Sequence, residues 1–103
     1  MMDLDEVAER LAFEWSPDGF LAGLRSGRFE PDEADRFLSV LESVDPADPR
    51  RFEPRIVGRL WAIPFYMLSH IQNSESLGLD TRERRRVLWR ANEILAVVFT
   101  GEA

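Results

Sequence analysis

Apolar residues recur every three or four positions along most of this chain, a spacing that predicts helices. The first predicted helix runs from Asp3 to about Trp15. A short second helix is expected to be capped by Ser16 and stopped by Gly27. A third begins at Pro31, and its apolar side consists of Ala34, Phe37, Leu38, Leu41 and Val44.

The most apolar segment belongs to a fourth predicted helix, from about Pro54 to Asn73. Its apolar side chains cover more than half of the circumference, so we expect it at the centre of the fold with several neighbours. Pro64 lacks an N–H and clashes with the carbonyl of Leu60, so it should kink or break this helix. One neighbour should face Ile56, Leu60, Ile63, Met67 and Ile71, and a second should face Val57, Trp61, Pro64 and Leu68.

A fifth helix is predicted after the loop from Ser74 to Leu79. Asp80 should cap it, with Glu83 three residues on in a capping-box arrangement, and Gly101 should end it. No strand-like alternation is present. The sequence therefore predicts an all-α class, a compact bundle of four main helices plus one short helix with a Pro-kinked central helix, over residues 1–103 as a single domain.

Composition narrows the classes of protein. There is no cysteine, so disulfides, thiolate metal sites and cysteine nucleophiles are excluded. The acidic N-terminus has no basic region followed by an apolar run, which argues against a signal peptide. Arg55, Arg59, Pro64 and His70 interrupt the apolar segment, which is unsuited to span a bilayer. We therefore expect a cytoplasmic protein without membrane contacts.

Charge is distributed unevenly. The net charge is −6, and all 13 basic residues are arginine. Residues 1–53 carry a net charge of −8 and residues 54–103 a net charge of +2. An acidic half repels nucleic acid and attracts a basic partner, unless the two halves pair within the fold.

Catalytic chemistry has one candidate location. On the central helix, Arg59, Tyr66 and His70 share a polar arc that could line a small-ligand pocket or an active site. A lone histidine at the edge of an apolar face is more often a structural hydrogen-bonding group. No second histidine accompanies His70, and no metal-loop spacing of acids is present. The prediction is therefore that the protein is not an enzyme and holds no metal or cofactor.

Two aromatic residues lie on polar helix faces and are candidate interface anchors. Phe13 lies opposite the apolar stripe of the first helix, and Trp89 lies among the arginines of the fifth. The cluster Arg82–Arg86 could bind an anion, but pairing with carboxylates of the same or a neighbouring chain explains it more simply.

These patterns favour a protein-interaction module that acts by binding. Its most concrete form is a small acidic inhibitor, of the bacterial immunity or antitoxin type, that neutralises a basic partner protein. The first alternative is a homodimeric structural or regulatory protein joined through the fifth helix; the second is the pocket at Arg59, Tyr66 and His70. The predicted partner-binding residues are Glu6, Glu9, Phe13, Asp32, Asp35, Glu42, Arg82, Arg86 and Trp89.

Overall fold

The computed structural model describes residues 2–102, and residues 1 and 103 of the predicted domain lie outside this range. Six α-helices and one 3-10 turn, Pro49–Phe52, make up the fold. The helices are α1 (Leu4–Trp15), α2 (Phe20–Arg25), α3 (Pro31–Glu42), α4 (Pro54–Leu60), α5 (Ile63–Ser76) and α6 (Arg82–Thr100). Between residues 2 and 102 there is no strand, which confirms the all-α prediction.

The four main helices are α1, α3, α5 and α6. Helix α6 packs against both α3 and α5, while α1 packs against α2, α3 and α4. Their apolar faces meet in one core that contains Phe20, Phe37 and Met67, each almost fully buried. The core therefore leaves each main helix one flank open to solvent.

The predicted central helix is broken into α4 and α5 at Trp61 and Ala62. Proline near the start of a helix needs no N–H donor, and Pro64 lies in the first turn of α5. Beginning a new helix there avoids the clash with the Leu60 carbonyl. Helix α5 then continues to Ser76, through the first part of the predicted loop.

The core face predicted for this segment is confirmed, because Ile56, Leu60, Ile63, Met67 and Ile71 are all fully buried. The second predicted face is wrong for Trp61, whose side chain is 68% exposed. No helix among residues 2–102 covers the ring, because α6 packs further round α5.

The predicted N-cap Ser16 is wrong, while Asp80 caps the first N–H of α6 from one residue before the helix boundary. Helix α2 begins after Gly19, and its first N–H, that of Phe20, donates to the Glu14 carboxylate at 3.0 Å. Thr81 occupies the cap position of α6, while Asp80 accepts from the N–H of Arg82 at 3.0 Å. The helix boundaries shift by a few residues, but the connectivity is unchanged.

Candidate functional site

The outward sides of α1 and α3 carry exposed acidic residues, and we call Glu6, Glu9, Phe13, Asp32 and Asp35 the acidic surface. The two helices run antiparallel. Glu14 near the end of α1 pairs with Arg36 on α3, while Met2 at the start of the chain shares a cleft with Val44 beyond the end of α3.

The four carboxylates of the acidic surface are exposed, and no ion pair to them is found among residues 2–102. The ring of Phe13 is 44% exposed, and the Arg36 guanidinium lies 5.0 Å from its centre. The surface thus combines free negative charge with one apolar anchor.

Glu42 stands apart from the other predicted acids. Its carboxylate accepts from the Arg90 guanidinium at 3.3 Å, and this ion pair joins α3 to α6. Asp5 similarly joins α1 to Arg55 of α4. Together with the pair between Arg55 and its near neighbour Glu53, these contacts join the acidic and basic halves of the chain, and the four carboxylates of the acidic surface have no ion-pair partner among residues 2–102.

An ion pair between a buried carboxylate, that of Glu14, and the partly exposed guanidinium of Arg36 fixes α1 to α3. Glu14 is 1% exposed, and its two oxygens accept from Nη2 and Nε of Arg36 at 2.8 and 2.9 Å. This pairing raises the pKa of Arg36. One oxygen also accepts the N–H of Phe20, so a single carboxylate positions three helices.

The arginine cluster at the start of α6 pairs within the chain. Arg82 pairs with Asp80 at 2.8 Å, Arg85 with Glu75 at 2.6 Å and Arg86 with Glu83 at 3.3 Å. Arg84 donates to the carbonyls of Asp80 and Gly27 and lies 5.3 Å from the centre of the Phe29 ring. These contacts agree with pairing by nearby carboxylates.

The Glu75 carboxyl provides a direct test of this pairing. Hydrogen bonds from Arg85 and then from Thr81 lower its pKa from 4.5 to about 2. The contribution of the ionised Glu75 carboxylate to the free energy of unfolding is therefore fully present above about pH 4.5. It is lost as the pH falls through about 2. We expect carbon-detected NMR to show the Glu75 carboxyl titrating near pH 2. In Arg85→Gln the midpoint should rise toward the usual range, whereas Arg82→Gln should leave it in place.

The predicted partner-binding residues do not form one surface. Trp89 is 70% exposed on α6, beside Arg85, Leu88 and Asn92, with which it lines a shallow concavity. Trp89 lies on α6, whereas Phe13 lies on α1. Phe13 on α1 and Trp89 on α6 are therefore candidate anchors of two separate surfaces.

The alternative pocket is occupied largely by its own side chains. The Tyr66 ring lies edge-on between Trp15 and His70, with centroid distances of 4.8 and 4.4 Å. Trp15 Nε1 donates to the Arg59 carbonyl at 3.0 Å, while the Arg59 guanidinium donates to the carbonyl of Arg55. The structure thus brings Tyr66 and His70 together and directs the Arg59 charge elsewhere.

The titration of this aromatic cluster follows from its burial. Burial lowers the pKa of His70, and the nearby Arg25 lowers it further. Burial raises the pKa of Tyr66, and Arg25 opposes that shift. Both groups are therefore held in their neutral forms near pH 7, which suits a packed aromatic cluster.

Sequence reasoning missed three residues of consequence. Glu14 continues the apolar stripe of Leu4, Val7 and Leu11, so a carboxylate at that position could have indicated a buried partner. Trp61 and Phe65, four residues apart, are both strongly exposed. Their spacing could have suggested an outward stripe, but the apolar segment around them pointed to burial.

No cluster of three or more His, Cys, Asp or Glu residues suited to a metal occurs in the described part of the chain. None of the helices in residues 2–102 combines the length and apolarity needed to cross a membrane. Comparison with known proteins found no family model, curated protein or solved structure that matches this chain.

Proposed function

We propose that this protein acts by binding another protein, without catalytic chemistry of its own, and that its partner is basic. The acidic surface of α1 and α3 is the binding site. In its most concrete form the protein is a small inhibitor of the immunity or antitoxin type. It would cover a basic active site on a partner and block it sterically.

The observation that carries this proposal is the set of uncompensated carboxylates around Phe13. Aromatic residues, phenylalanine among them, are enriched at the cores of protein interfaces, as is arginine. Glu9 lies one helical turn before Phe13, and Asp32 and Asp35 lie near Arg36, which contacts its ring. A cationic surface would find both an apolar contact and three negative charges here.

Rigidity beneath the surface supports the same proposal. The Glu14–Arg36 ion pair and the Phe13–Arg36 contact hold α1 and α3 in one arrangement. A preorganised surface loses little conformational entropy on binding, so more of the contact energy contributes to affinity. The net charge of −6 adds long-range attraction that accelerates encounter with a basic partner.

A triple variant tests the proposal. Glu9→Gln, Asp32→Asn and Asp35→Asn together remove three charges from the acidic surface. Exposed ion pairs contribute about 0.2–1 kcal/mol each, so we expect affinity for the partner to fall about 3- to 150-fold. The matched control, Glu83→Gln, Glu93→Gln and Glu102→Gln, removes the same total charge from α6 and the C-terminal end.

The measurement is affinity capture from an extract of the source cells, followed by titration of the captured protein in increasing salt. The proposal expects a basic protein that the wild type and the control retain and the triple variant loses. Binding should weaken as salt screens the attraction. Retention of the same proteins by all three chains, or capture of acidic proteins only, would contradict the proposal.

A further inference from the structure

A second, independent surface lies along α5 and α6. We define this aromatic face by Trp61, Phe65, Leu68, Trp89, Ala96 and Phe99. Phe65 is 76% exposed, more than any other aromatic side chain in residues 2–102, and Phe99 is 37% exposed. Large apolar groups are rarely left in water in such number without a partner.

These residues form two adjacent stripes. On α5, Phe65, Leu68, Gln72 and Glu75 follow one another at spacings of three and four residues. On α6, Arg85, Trp89, Asn92, Ala96 and Phe99 do the same. Because the ion pair between Glu75 and Arg85 joins one end of each stripe, the two stripes run side by side along the groove between the helices.

Trp61 extends the α5 stripe by one turn. It lies four residues before Phe65, and both Trp61 and Ala62 keep right-handed helical backbone angles across the break. The stripe therefore spans about four turns. Alternating spacings of three and four residues are the pattern by which helices pack into bundles and coiled coils.

The exposed apolar area suits a small dimer interface. An aromatic side chain buries about 150–250 Å² when it is covered. The exposed parts of Trp61, Phe65 and Trp89 therefore offer about 300–500 Å² of apolar area per copy for burial in an interface. Two such faces, with Leu68, Ala96, Phe99 and the neighbouring polar atoms, reach about 1,000–1,200 Å². That is the lower end of the range for specific protein interfaces.

The distribution of charge along the chain points to a second copy as the molecule that covers the aromatic face. Two chains of net charge −6 repel each other, so they can meet only where their surfaces are least acidic. Residues 54–103 have a net charge of +2, and the Glu75 carboxylate on this face is already paired with Arg85. The acidic surface, by contrast, would repel its own copy.

We propose that the aromatic face binds a second copy of this chain, giving a two-fold symmetric dimer in which α5 and α6 of both copies form a four-helix arrangement. Trp89 and Phe65 are its apolar anchors, and the middle of the α6 stripe, at position 92, lies at its axis. The acidic surface lies on α1 and α3, so each copy keeps it available for a different partner.

Sedimentation velocity over about 1–500 μM tests the dimer, because an interface of this size is expected to dissociate in the micromolar range. The mass should rise from 11.9 kDa toward twice that value with concentration. Phe65→Glu and Trp89→Glu should each weaken association at least about 30-fold, as expected for an interface anchor. Both sites are exposed, so the helical circular dichroism should not change.

Phe13→Glu is the matched control, since it introduces the same charge at an exposed aromatic outside the face. It should dimerise like the wild type while losing the basic partner. A failure of the proposed dimer can therefore be distinguished from a failure of the proposed partner binding. The wild type remaining monomeric throughout, or Phe13→Glu disrupting the dimer as strongly as Trp89→Glu, would overturn the proposal.

Because the native chain has no cysteine, a single introduced cysteine can locate the two-fold axis of the dimer by disulfide crosslinking. Asn92→Cys should form a disulfide with its own copy under mild oxidation, because the two residues face each other. Ser39→Cys, an exposed position on α3, should remain largely reduced. Equal crosslinking of the two variants would place the contact elsewhere and overturn the assignment of this face.

Discussion

Replacing Arg36 with methionine is expected to lower the free energy of unfolding by about 3–5 kcal/mol, because it leaves a buried charge without its partner. Glu14 has 1% of its surface in contact with solvent, and two of its three hydrogen bonds come from Arg36. Methionine keeps much of the volume of the side chain but supplies no donor. Urea unfolding followed by circular dichroism measures the change.

The double variant Glu14→Gln, Arg36→Met separates charge from packing. A neutral amide costs less to bury than a lone carboxylate, so part of the lost stability should return. Arg10→Met on the exposed side of α1 is the control, and we expect it to change stability by less than about 0.5 kcal/mol. An Arg36→Met chain as stable as Arg10→Met would show that the ion pair contributes nothing to the fold.

Gly19→Ala should destabilise the protein by about 2–4 kcal/mol. The backbone of Gly19 is extended, with φ at −86°, so the conformation itself suits any residue. The obstacle is space, because an added Cβ would lie 2.2 Å from the Phe13 carbonyl oxygen and 2.4 Å from that of Glu14. Overpacking costs about 1–3 kcal/mol, and separating α1 from α2 would also cost about 1 kcal/mol for the lost cap at Phe20.

Gly58→Ala is the matched control for this substitution. Gly58 lies inside α4 with no heavy atom within 4 Å of an added Cβ. Because alanine has less backbone freedom to lose on folding, we expect a gain of about 0.5–1 kcal/mol. Thermal or urea unfolding of both variants should show shifts of opposite sign, and two shifts of equal sign would contradict this account of Gly19.

Helix positions and core faces could be predicted from the sequence because both depend on local spacing. The buried sets of the central segment and of α6, including Ala91 and Leu95, follow from residues three and four positions apart. Pro64 likewise acts on the carbonyl four residues before it, so the break in the central helix was predictable to within a few residues.

The functional surfaces could be predicted only in part. Glu6, Glu9, Asp32 and Asp35 are polar positions on amphipathic helices, so their exposure followed from the pattern. Whether they are paired did not, because arginines from distant helices compete for carboxylates. Glu42 pairs with Arg90, 48 residues away, and Glu14 pairs with Arg36, 22 residues away. The four carboxylates of the acidic surface have no such partner among residues 2–102.

The sequence by itself determined the all-α class, the apolar stripes and the separation of charge between the two halves. Only the tertiary structure decided that Glu14 caps α2 from within the core and that Trp61, Phe65 and Trp89 remain in water. The physical reason is that a helix has several faces, and its few neighbouring helices can cover only some of them. Periodicity reveals which faces are apolar, but the packing of distant helices decides which of them is covered.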